Sequence, residues 1–166
     1  MVTQDDDSQT LESRPPTLDD LINLCRHLNQ KGVRYIVIGG MAMIQQGFVR
    51  ATEDIDLLVD ASLENEMKIK EALRYLPDQA AGEINPGDLD QYQVIRVADE
   101  IVIDLMKTAC GMEFRSASKS IQKVTFDGVE VPFANAEFLL KLKQSVRPKD
   151  KLDREFLLNM IKKKKC

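Results

Sequence analysis

The chain has 166 residues, 43% of them hydrophobic and 30% charged, with a formal net charge of −4. That length and balance predict a single globular domain with its own core and exclude a low-complexity or fibrous chain. No apolar run approaches the roughly 20 residues of a membrane span. Residues 1–16 hold no apolar segment suited to a signal peptide, and the three cysteines lack metal-ligand spacing. The expectation is a cytoplasmic protein with reduced thiols and no membrane partner.

Residues 1–16 contain Asp5-Asp6-Asp7 and Pro15-Pro16 with almost nothing apolar, and read as a disordered acidic tail before one domain over 17–162. Thr17 and Asp20 form a capping box, after which Leu18, Leu21, Ile22, Cys25 and Leu28 recur at helical spacing until Gly32. His27, the only histidine, lies among polar positions of that helix with no second ligand or nucleophile beside it, so it reads as structural. Tyr35–Ile38 is an apolar strand broken by Gly39-Gly40, and the next residues have helical composition. Two glycines at a helix start let the backbone come close to a ligand, with N–H groups facing an anion such as a triphosphate. Met41, Met43 and Ile44 on this short helix read as core filler.

Asp54-Ile55-Asp56 opens a second strand that continues through Val59. Both aspartates then face one way, with Cα atoms about 6.6 Å apart, close enough to converge on one hard cation. Arg50 and Thr52 lie just before this strand, where Arg50 can meet a phosphate or pair with Glu53 or Asp54. Ser62 caps a helix to Leu76, and 77–90 reads as a loop. Tyr92–Val97 and Ile101–Met106 read as a hairpin, with Asp104 antiparallel to the other strands of one mixed sheet. Asp104 stands inside a run too apolar for the surface, so it is either a third metal ligand or a buried, hydrogen-bonded structural acid.

Residues 111–120 read as a polar loop, and Val124–Phe133 as a second hairpin turning at Asp127-Gly128. From Asn135 the pattern is helical, and Pro148 separates that helix from a last one through Met160, with 163–166 a basic tail. Residues 141–166 hold ten Lys and Arg against three Asp and Glu, while 1–140 hold thirteen against twenty-four. Such asymmetry points either to helices that meet phosphate, the nucleotide's or an RNA acceptor's, or to a solvated face; Lys162 to Lys165 read as solvated, and Lys143 and Arg147, one turn apart on one face, as the phosphate candidates.

These residues resemble the nucleotidyltransferase superfamily with the polymerase β-like fold, whose signature is an apolar residue, Gly-Gly or Gly-Ser, a spacer, then Asp-apolar-Asp. Here the matches are Ile38-Gly39-Gly40 and Asp54-Ile55-Asp56, with Gly40 where many relatives place Ser. Arg50-Ala51-Thr52-Glu53, and a downstream pattern matched by Lys143, Arg147, Lys149, Asp150 and Asp153, resemble the small stand-alone and abortive-infection-toxin-like members. The resemblance implies an α/β fold, a short mixed β-sheet with helices packed on it and helices at both chain ends. It implies catalytic, metal-binding acids at Asp54, Asp56 and Asp104, and a nucleotide site formed by Gly39, Gly40, Arg50, Thr52, Lys143 and Arg147. The implied activity is Mg2+- or Mn2+-dependent transfer of a nucleotidyl group from a nucleoside triphosphate such as ATP to an acceptor hydroxyl, with release of pyrophosphate. RNA, a protein hydroxyl and a small molecule all remain open as acceptors, as do a partner protein and a homodimer. The alternative is a non-catalytic nucleotide-binding or antitoxin-like module of the same fold, from a toxin–antitoxin system.

Overall fold

The computed structural model describes residues 12–143 and 148–165. In chain order the elements are α1 (Leu18–Gln30), β1 (Tyr35–Ile38), α2 (Gly39–Gln45), β2 (Asp54–Val59), α3 (Leu63–Ala72), α4 (Asp88–Gln91), β3 (Val94–Ala98) and β4 (Val102–Met106). There follow β5 (Thr108–Ala109), β6 (Met112–Glu113), α5 (Phe114–Ala117), β7 (Ile121–Phe126), β8 (Val129–Ala134), α6 (Ala136–Leu142) and α7 (Pro148–Lys165). Six strands form one mixed sheet in the order β3-β4-β2-β1-β8-β7.

β1 is buried along its whole length, which is why four apolar residues run there without alternation. It pairs antiparallel with β2 and parallel with β8, and β3 and β7 close the two edges. Leu24, Val37, Ile55, Leu57, Ile103, Phe133 and Phe138 fill the core between sheet and helices. α1 begins at the Thr17–Asp20 capping box, as its sequence predicts. His27 is structural: its ring stacks on Tyr75 at 3.9 Å and its Nδ1 lies 2.8 Å from the Asn23 carbonyl oxygen.

Both hairpins form, but β4 is antiparallel only to β3 and runs parallel to β2. The chain leaves β2, crosses through α3 and α4 and comes back along β3, so β4 points in the direction of β2. The segment read as a loop over 77–90 contains α4 and a turn of 3-10 helix at Ala80–Glu83. Two buried acids organise it. Asp99 accepts hydrogen bonds from the N–H groups of Asp78, Ala80 and Glu100, and Glu66 from those of Gly87 and Leu89. Residues 111–120, read as a loop, contribute β6 and α5, and α7 continues five residues past Met160 to Lys165.

At the N-terminal side, Ser13 donates to the Asp99 carbonyl and Arg14 pairs with Asp20 and Glu100. Residues 1–11 lie outside the described residues. No helix among the described residues is long and apolar enough to cross a membrane.

Candidate active site

On β2 the alternation expected of a strand puts Ile55 and Leu57 fully into the core and leaves Asp54 and Asp56 half-buried on the other face. The parallel register sets Asp56 directly opposite Asp104 on β4, and the antiparallel register sets Arg96 of β3 opposite Asp104. Arg96, Asp104 and Asp56 therefore form a row across three neighbouring strands, with Asp54 two residues along. Asp54, Asp56 and Asp104 each offer a carboxylate oxygen, and these atoms lie within 4.8 Å of one another. Asp104 is buried, only 6% exposed.

Burial and mutual repulsion raise the proton affinity of the two β2 acids. The Asp56 carboxyl is pushed up from 3.8 to about 7, chiefly by desolvation and then by Asp54 and Asp104, against the pull of Lys143 and Arg96. Asp54 is also raised, by desolvation first and Asp104 second, with Arg96 and Lys149 opposing. Arg96 forks Asp104, Nε donating to Oδ1 at 3.0 Å and Nη2 to Oδ2 at 2.9 Å. The same Nη2 reaches Asp54 Oδ2 at 3.3 Å. Sequence reading misses Arg96: pairing Tyr92–Val97 with Ile101–Met106 end to end sets Val94 opposite Asp104, whereas the observed register, with Ala98 opposite Val102, brings Arg96 there.

The two glycines are required by the protein's own side chains. Gly39 has φ +68°, and a Cβ there would lie 2.1 Å from Asp56 Oδ2. A Cβ on Gly40 would lie 2.5 Å from Thr52 Oγ1, and that hydroxyl donates to the Asp54 carbonyl at 3.0 Å. The turn and Thr52 thus set the backbone from which both β2 acids project.

Arg50 meets neither Glu53 nor Asp54. Its Nη1 donates to both oxygens of Asp153, at 2.6 and 2.5 Å. Lys143 Nζ lies 3.2 Å from Asp153 and 3.6 Å from Asp150. Both aspartate side chains are 1% exposed, against 11% for Arg50 and 10% for Lys143. This second cluster ties the segment before β2 to α6 and α7, and Lys143 and Lys149 direct positive potential at the carboxylates of Asp56 and Asp54. Arg147 lies outside the described residues.

A cleft of about 290 Å³ opens beside the acids, lined by Ser13, Arg14, Pro15, Glu53, Asp54, Arg96 and Val102. A larger one of about 660 Å³ lies beyond the opposite end of β2, around Val59, Ser62, Lys107 and Arg115. Size favours the second, but the first adjoins the three converging carboxylates, and we place the candidate chemistry there.

No family model matches the chain, and no curated protein matches it. Among solved structures it is similar to a candidate nucleotidyltransferase from Thermotoga maritima, with a TM-score of 0.52 and 17% identity, over 88% of this chain and 90% of that one. The likeness shows the fold: this chain has a nucleotidyltransferase-like fold, a mixed sheet with helices packed on it.

Proposed function

We propose that the protein is a nucleotidyltransferase that moves a nucleotidyl group from a nucleoside triphosphate to an acceptor hydroxyl and releases pyrophosphate. The observation that carries this reading is the convergence of Asp54, Asp56 and Asp104 within 4.8 Å on a fold of this kind. The donor set fits a hard divalent cation, Mg2+ or Mn2+: three carboxylates, no sulfur or imidazole, with Asp56 raised in proton affinity by burial first and by its neighbours Asp54 and Asp104 second. A cation there supplies charge neutralisation at the reacting phosphorus and its leaving group.

The chain's own residues do the rest. Asp54 and Asp56 would hold the cation from β2 and Asp104 from β4, where Asp104 would also lower the barrier to deprotonating the acceptor. N–H groups of Gly39 and Gly40 donate to the phosphates. Lys143, whose charge already acts on Asp56, would with Arg50 and Arg147 neutralise charge on the triphosphate, and Thr52 fixes the backbone of Asp54. ATP is the first nucleotide to try, and RNA the first acceptor.

Asp56→Asn tests this directly. It removes a charged ligand at nearly constant volume, so transfer from labelled nucleoside triphosphates to total RNA, protein or small-molecule hydroxyls should fall at least about a hundredfold. The mutant should remain folded. Undiminished incorporation by folded Asp56→Asn protein would remove the assignment.

A further inference from the structure

Arg96 is the one cationic side chain in hydrogen-bond contact with the triad among the described residues, and its three contacts take both oxygens of Asp104 and one of Asp54. A divalent cation between the three aspartates would draw on one oxygen of each, so it and Arg96 call on the same two carboxylates, Asp104 and Asp54. The contact is built into the sheet, because the hairpin register sets residue 96 opposite residue 104 and an arginine fork matches the two oxygens of a carboxylate. At 60% exposure the Arg96 side chain is also free to swing outward, unlike Lys143 and Arg50, which are held in the buried cluster.

We propose that Arg96 is a resident counter-cation of this site: it holds Asp104 and Asp54 together in the metal-free protein and competes with the divalent metal for their oxygens. The proposal rests on the metal-site reading above and adds a residue that the motif does not contain. In the metal-free protein, Arg96 offsets part of the repulsion among three clustered carboxylates. When the site fills, the guanidinium gives up the oxygens it held and turns toward the adjoining cleft, which it lines with Arg14. Arg96 is thus a positioning residue for the acids and sets how readily they take a cation.

Removing the charge therefore has two opposite effects, and their combination separates competition from plain structural support. In Arg96→Met the metal-free protein should melt at a lower temperature than wild type, while Mn2+, titrated by calorimetry and by the loss of its free paramagnetic resonance signal, should bind about three- to tenfold more tightly. Saturating Mn2+ should close most of the gap in melting temperature. Arg96→Gln keeps an amide donor to steady Asp104 while lacking the charge, so it should also bind Mn2+ more tightly and serves if the Met variant folds poorly.

If wild type binds Mn2+ and the neutral variants bind it equally or more weakly, Arg96 only supports Asp104 and the competition is overturned, with the metal site left standing. If neither wild type nor variants bind Mn2+ at millimolar concentration, the metal-site reading fails together with it.

Discussion

Two charged clusters lie side by side in this molecule, and they are balanced differently. Around Asp153 the charges close on themselves: Arg50 and Lys143 face Asp150 and Asp153, all nearly buried. Around Asp56 three carboxylates converge and one largely exposed arginine bonds two of them, Asp104 and Asp54, while burial first and mutual repulsion second raise the Asp56 and Asp54 carboxyls. A buried cluster with matched charge acts as a clasp, here joining the segment before β2 to α7. A cluster left short of positive charge is poised to take a cation. The difference teaches that charge type alone does not mark function; what marks it is whether the protein supplies the counter-charge itself.

Breaking the clasp should have the largest effect. Asp153→Asn leaves Arg50 and Lys143 without their shared partner in a buried setting, and loss of one member of such a pair costs about 3–5 kcal/mol. Urea unfolding should show it as a lower midpoint with an unchanged slope. A loss below about 1 kcal/mol would mean that water reaches the cluster and that its burial does not make it a clasp.

The next effect belongs to the glycine turn packed against Asp56 and Thr52. Gly39→Ala puts an L residue at φ +68° and a methyl carbon against Asp56 Oδ2. Backbone strain of about 1–3 kcal/mol is expected from the conformation, and the displaced carboxylate should weaken Mn2+ binding as well. Calorimetric titration of the folded variant checks the second consequence. Unaltered Mn2+ affinity would show that Asp56 can move aside without leaving the site.

Much of this arrangement was legible in the residues. The Tyr35–Ile38 strand, the glycine turn and the Asp-Ile-Asp alternation are local signals, each read from a few adjacent positions, and all three stand where expected. Asp104 stood out because an acid in a run as apolar as 101–106 needs a reason to be there. What local reading could not supply was partner choice across the sheet and between distant segments. Arg50 bonds a residue 103 positions away, and the loop over 77–90 takes its shape from Asp99 and Glu66, acids that no local motif singles out. The direction of β4 was missed for a related reason: a hairpin fixes how its two strands run against each other, not which neighbour the second one meets. Arg96 was missed because its place opposite Asp104 depends on a turn one residue later than the sequence suggests.

The most gradual effect is a dependence of stability on pH that the two kinds of acid should divide between them. In metal-free protein the folded state holds a proton on Asp56 up to about pH 7, whereas the unfolded chain releases it near 3.8. Between those values the folded state binds more protons than the unfolded one, so stability must decline as pH rises through the window. The Asp56 contribution is full below the unfolded value and gone above about pH 7. Asp20 has the opposite sign. Its hydrogen bonds from Arg14 lower it to about 2, so it adds stability above 3.8 that is lost as the pH falls toward 2. Melting temperatures measured in chelator should therefore fall from pH 5 to pH 8 in wild type, and in Asp56→Asn this part of the slope should be absent. The mutant should also melt above wild type at pH 8, since it lacks the desolvated charge. A slope from pH 5 to 8 that is the same in both proteins would show that Asp56 is already ionised in the folded state at pH 5, and that Arg96 and Lys143 balance the triad after all.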